Sequence, residues 1–159
     1  FLGGGSVRDA PELAAGERYL AVASGYVGGT GQAFTLLPLQ EQFAAAGPLV
    51  RVLHASPDAP TVDVGAWDGA TFTPVAAFSG LGFADASGAA GTPLSGSLTV
   101  GVAPAGTTAP AATFDLALMG DLRAFAVASG SLSGPGESFR LVVVDTAVWP
   151  WTAAEVLPN

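Results

Sequence analysis

Cysteine is absent from these 159 residues, which excludes structural disulfides, thiolate zinc sites and cysteine nucleophiles. Lysine and isoleucine are also missing, so the five basic residues are all arginine, and the single histidine is His54. One imidazole leaves a Ser-His-Asp triad arithmetically open but excludes a multi-histidine metal site within one chain. Charged residues make up only 11%, against about 25% in ordinary globular proteins. Thirteen acidic residues against five basic ones give a formal charge of −8. Without clustered Lys/Arg to displace counterions from a phosphate backbone, nucleic acid is excluded as a partner. No run of about 18 apolar residues occurs, which removes a transmembrane helix. No basic segment with an apolar core follows Phe1, so no signal peptide is expected in this chain, and its start reads as processed or truncated. Lysine and isoleucine have AT-rich codons, and their absence points to a GC-rich bacterial genome. What is present is 50% hydrophobic, a balance that argues for a packed core and against disorder.

The most informative positive feature is an internal repeat. Ala21-Val22-Ala23-Ser24-Gly25 recurs as Ala126-Val127-Ala128-Ser129-Gly130, an offset of 105. At the same offset Leu13 meets Leu118, Arg18 meets Arg123, Gly29 meets Gly134, Gly31 meets Gly136, Phe34 meets Phe139 and Leu36 meets Leu141. That makes 11 identities over 31 ungapped positions. A period of this length is the size of a β-sandwich domain, not of a solenoid unit. Residues 48–159 are accordingly expected to form one complete sandwich. Residues 1–47 are expected to be the C-terminal strands of a preceding, truncated copy, with edges and half a core for a partner to cover.

Periodicity and punctuation predict strands at Tyr19–Ser24, Leu49–Ala55, Thr61–Trp67, Phe72–Phe78, Leu98–Ala103, Phe114–Met119, Arg123–Ser129 and Ser138–Asp145. Clusters such as Ser56-Pro57-Asp58-Ala59-Pro60 separate them, and Asp68-Gly69 reads as a hairpin turn. Gln40–Ala46 is the one stretch that offers a helical turn, and residues 80–97 form the longest irregular segment. Short strands with turn signals between them indicate an all-β, antiparallel sandwich of Greek-key type.

The densest polar grouping runs from Arg51 to Asp63. Strand alternation puts Val50, Val52 and His54 on one face and Leu49, Arg51 and Leu53 on the other, with Val62 and Val64 inward and Asp63 outward. In the simplest reading His54 hydrogen-bonds the Ser56–Asp63 turn and fixes strand register. The functional alternative is a metal site of His54, Asp58 and Asp63, holding copper or another divalent ion. Copper or zinc would want further imidazoles from a partner chain. Carboxylates at Asp58, Asp63 and Asp68 lack the spacing of a calcium loop. Ser24 and Ser129 lie in Ser-Gly turns, not in a nucleophile elbow, and Gly28-Gly29-Thr30-Gly31 does not lead into a helix as a phosphate cradle does. No catalytic residue and no organic cofactor is assigned. Trp149-Pro150-Trp151 either lids the end of the sandwich or anchors a contact with a protein or sugar. Trp149, Trp151 and Arg51 are the candidate interaction residues.

The stretch "VRVLHASPDAPTVDV" (Val50–Val64) resembles the opening of the bacterial domain-of-unknown-function family numbered 4397. "VAPAG" (Val102–Gly106), "LRAFAVASG" (Leu122–Gly130) and "FRLVVVD" (Phe139–Asp145) are similar to its later strands. The resemblance implies an exported bacterial protein of the cell envelope, often in tandem copies, with an immunoglobulin-like sandwich. Three functions follow as expectations. One is a non-enzymatic module of surface-layer or adhesive assembly, whose partners are other envelope proteins or further copies of itself. The second is a module gripping a carbohydrate or small apolar ligand, with residues 80–97 as the binding loop. The third is a copper protein with superoxide-dismutase-like activity centred on His54.

Overall fold

The computed structural model describes residues 6–7, 12–28, 31–44, 47–134 and 136–159. They form an all-β sandwich with a third layer on one side. The strands are β1 (Ser6–Val7), β2 (Tyr19–Ser24), β3 (Thr35–Gln40), β4 (Leu49–His54), β5 (Val62–Trp67), β6 (Phe72–Pro74), β7 (Thr92–Pro93), β8 (Gly96–Pro104), β9 (Ala112–Leu118), β10 (Arg123–Ser129), β11 (Arg140–Asp145) and β12 (Thr152–Val156). One sheet runs β12-β11-β10-β4-β7, the facing one β6-β5-β8-β9, and the third layer β1-β3-β2. Pairing is antiparallel except for β10 with β4 and β1 with β3. Among the described residues no helix is long and apolar enough to cross a membrane.

Alternation along the strands builds two cores. Val50 and Val52 of β4, Val62 and Val64 of β5, Val100 and Val102 of β8, Phe114 of β9 and Ala126 and Ala128 of β10 meet between the two large sheets. Each Val or Phe sealed this way is worth about 1.5–3 kcal/mol of transfer free energy. The other face of the five-stranded sheet presents Leu53, Phe125, Val127 and Val144, and Leu20, Val22, Leu37, Leu39 and Phe43 of the third layer cover it. Every residue of β4 is therefore buried, which is why Leu49–His54 is apolar on both faces except at Arg51 and His54.

The hairpin β2–β3 and the hairpin β10–β11 match position for position at the offset of 105. Tyr19 faces Gln40 and Ser24 faces Thr35, as Ala124 faces Asp145 and Ser129 faces Arg140. Glu41 N–H donates to Arg18 C=O at 2.8 Å, as Thr146 N–H does to Arg123 C=O at 2.8 Å. Gly25 and Gly130 both adopt positive φ. In each, a Cβ would lie 2.3 Å from a backbone carbonyl oxygen, of Ala33 and of Ser138 respectively. Only glycine fits such a position.

Three sequence expectations need adjusting. Thr35–Gln40 is a strand although Pro38 interrupts it. The Arg18–Glu41 bond sets the alternation so that residues 35, 37 and 39 bond to β2, and the missing N–H of Pro38 points to the other side. There, among the described residues, β1 pairs with Thr35 and Leu36, so the proline breaks none of the described ladder bonds. Residues 41–44 are not helical, and 45–46 lie outside the described residues. Phe72–Phe78 is a short strand followed by one 3₁₀ turn, Ala76–Phe78.

The segment 80–97 seals the open edge of β4 instead of hanging free. His54 N–H donates to Asp85 C=O at 3.0 Å, Ala84 N–H to His54 C=O at 2.8 Å and Ser87 N–H to Val52 C=O at 2.8 Å. The Ser87 hydroxyl accepts the buried Val52 N–H at 2.9 Å. Ser87→Ala is expected to cost about 1.5 kcal/mol by leaving that donor unpaired, measurable as a lowered urea midpoint with an unchanged slope.

Candidate functional site

The polar segment after β4 lies where the chain crosses from one large sheet to the other. His54 is 1% exposed. Its Nε2 lies 2.9 Å from the Pro60 carbonyl oxygen and its Nδ1 lies 3.3 Å from the Ser56 N–H donor. This network assigns a neutral ring with the proton on Nε2, donating to Pro60 and accepting from Ser56. Both ring nitrogens are thus engaged in holding the turn.

Asp58 carries the most heavily bonded carboxylate of the region. Its Oδ2 accepts from the Ser131 hydroxyl at 2.7 Å and from the N–H groups of Ser133 and Gly134 at 2.9 Å each. Its Oδ1 accepts from Leu132 N–H at 2.9 Å. The Ser56 hydroxyl, fully buried, donates to Oδ1 at 3.4 Å and so links Asp58 to the His54 turn. Burial pulls the Asp58 carboxyl upward, but the Ser131 hydroxyl and the three backbone donors outweigh it and hold it well below the usual carboxylate range. The loop after β10 thereby grips the turn after β4.

Asp63 points outward from β5, as alternation predicts, and also binds backbone. Its two oxygens accept from Gly80 N–H at 2.8 Å and from Gly106 N–H at 2.9 Å, tying β5 to two neighbouring loops. Asp68 accepts from Ala70 and Thr71 N–H in the β5–β6 turn, and those donors hold its carboxyl below the ordinary value. The structure therefore joins His54 to Asp58 through Ser56 and places Asp63 with a different pair of loops. Among the described residues no group of three or more His, Asp or Glu side chains is gathered as a metal-ligand set.

Arg51 is 7% exposed and lies inside the second core. Its guanidinium stands over the Phe125 ring at 5.4 Å and donates to the Gln40 carbonyl at 2.9 Å. Burial pushes its pKa down. Arg51 thus clamps the third layer to the sheet from within. The two tryptophans divide. Trp151 is half-buried, packing on Phe125 at 6.4 Å between ring centres, with the Arg18 guanidinium above it at 5.8 Å. Trp149 is 71% exposed, and its neighbour Val148 is 74% exposed. Ser24 donates its hydroxyl to the Ala55 carbonyl at 2.5 Å. Of the glycine-rich turn, Gly28 and Gly31 take positive φ, while residues 29–30 lie outside the described residues.

Two groupings escaped sequence reasoning. One is the nest at residues 131–134, whose partner Asp58 is more than 70 positions away; the only local signal is the Ser131-Leu-Ser-Gly134 turn composition. The other is Glu41, buried between the Arg18 guanidinium at 2.5 Å and the Thr146 hydroxyl at 3.2 Å. An apolar cavity of about 60 Å³ also lies in the main core, lined by Val52, Phe78, Val100 and Ala128 among others. It is far smaller than the roughly 300 Å³ at which organic-ligand pockets begin.

Comparison with curated proteins and with solved structures returned no match for this chain. The sequence profile of the family described as Domain of unknown function (DUF4397) matches residues 48–157. That span opens at β4 and takes in both large sheets, the Asp58 clamp and the His54 turn, and on this match the chain belongs to the DUF4397 family.

Proposed function

We propose that this chain is a non-enzymatic module of an exported bacterial envelope protein, working by self-association in surface-layer or adhesive assembly. In this reading the immunoglobulin-like sandwich of residues 48–159 is one repeat, and residues 1–47 are the closing strands of a preceding one. The observation that carries the proposal is the division of labour among side chains. His54, Asp58 and Asp63 bind the fold's own backbone and serine hydroxyls and Arg51 donates to the Gln40 carbonyl, whereas Val148 and Trp149 are exposed to solvent. A reactive centre needs polar groups free to meet a substrate, while exposed tryptophan is the residue type most enriched at binding hot spots.

Sedimentation velocity over a series of concentrations tests this reading. The expected result is reversible association that Trp149→Ala weakens by roughly tenfold, as loss of a hot-spot anchor does. Because Trp149 is exposed, the variant keeps its folded spectrum. Wild type and variant that remain monomeric alike at every concentration would overturn the proposal.

A further inference from the structure

The two hairpins differ in what lies along their outer edge. In the five-stranded sheet, β10 is flanked by β4, which runs parallel to it with Ala126 facing Val52 and Ala128 facing His54. In the third layer β2 ends the sheet among the described residues. The alternation set by the Arg18–Glu41 bond turns the N–H and C=O groups of Tyr19, Ala21 and Ala23 to that open side. The residues offered are nearly the same on both edges. Arg18, Ala21, Val22, Ala23 and Ser24 repeat as Arg123, Ala126, Val127, Ala128 and Ser129. Ala126 and Ala128 are buried in the main core between the two large sheets, whereas Ala21 and Ala23, on the uncovered outer face of the third layer, are exposed.

We propose that the β2 edge is a docking site for a strand of the β4 kind, a parallel "LVRVLH"-like segment carried by a further copy of this domain in the same polypeptide. Small alanines on the edge strand leave room for the side chains of such a segment, as Ala126 does for Val52 and Ala128 for His54. Backbone bonds supply affinity and alternate side chains supply specificity, which is strand addition. The turns that follow differ. Gly28 takes a positive φ, and its counterpart Ser133 does not, so the Asp58 clamp is not part of the proposal. The inference rests on reading residues 1–47 as closing strands of another repeat.

A synthetic peptide of residues 48–56 stands in for the missing strand. Added to the full chain, it is expected to bind saturably and to slow hydrogen exchange roughly tenfold or more at Tyr19, Ala21 and Ala23. The same peptide carrying Leu53→Pro is expected to bind at least roughly tenfold more weakly, because the Leu53 N–H lies on the side of the strand that faces β10, together with those of Leu49 and Ala55, which donate to Leu122 and Ala128, and proline there removes a ladder bond. No binding, binding indifferent to the proline, or protection gained on β10 instead would each overturn the docking site. Association that depends on Trp149, found together with absent peptide binding, would remove the docking site and leave the envelope role standing.

Discussion

Phe125→Ala is expected to cost ~4 kcal/mol, the usual loss for truncating a fully enclosed phenylalanine. Phe125 is 0% exposed and stands at the centre of the second core. Its ring lies 5.3 Å from Phe43 and 6.4 Å from Trp151, with the Arg51 guanidinium over one face. Truncation removes the hydrophobic contact and also strips Arg51 of the surface that compensates its burial. The third layer is held to the sandwich chiefly through this cluster, so the loss falls unevenly. Hydrogen exchange in β2 and β3 should quicken before that in β8 and β9, and Trp151 fluorescence should shift to longer wavelength. Phe114→Ala makes the useful contrast. Phe114 is also 0% exposed but sits in the main core, and its loss should destabilise both hairpins together. Equal protection of β2–β3 in the two variants would show that the layers are not separable.

Asp58→Ala is expected to cost ~3 kcal/mol, from several hydrogen bonds to one carboxylate at about 1.5–3 kcal/mol each. The figure is well below their sum, since the exposed donors of residues 132–134 can turn to water. Asp58→Asn keeps the shape but loses the charge and one acceptor oxygen, and should cost less. The pH dependence separates charge from packing. A carboxyl held low in the folded state stabilises the fold above its unfolded value near 4, and that contribution is lost as pH falls toward the folded value. Wild-type stability should therefore decline more steeply below about pH 4 than that of Asp58→Asn. Denaturant midpoints measured at several acidic pH values supply the comparison, and parallel profiles would refute the clamp.

The strands that sequence located are those whose alternation serves a sealed interface. Leu49–His54, Val62–Trp67 and Arg123–Ser129 were legible because valine, leucine and alanine repeat with period two or fill both faces. Thr35–Gln40 was hidden by Pro38, whose missing N–H falls on the side away from β2, a fact of tertiary structure. Thr152–Val156 was hidden by small polar character, since it is an edge strand whose Glu155 pairs with Arg140. At the site, the chemistry of the turn was visible and its partners were not. Ser56-Pro-Asp58 announces a turn, but whether a carboxylate meets a metal, a histidine or a nest of N–H groups depends on chain segments far away. That turn ties the sandwich together at the crossing between the two large sheets, through the bonds that Asp58 accepts from residues 131–134.

The parallel pairing of β4 with β10 has a kinetic consequence. Leu49 meets Arg123 across 74 positions, whereas the β2–β3 hairpin closes over a short loop. Hairpins form in about 1–10 μs, while sandwiches dominated by distant pairings take milliseconds to seconds. In refolding, the hairpin therefore exists long before the surface it must cover, and its apolar inner face, Leu20, Val22, Leu37 and Leu39, waits in solvent. The β2–β3 hairpin thus forms before the sheet on which it docks is complete, and the interval between the two is when neighbouring chains are most able to capture it.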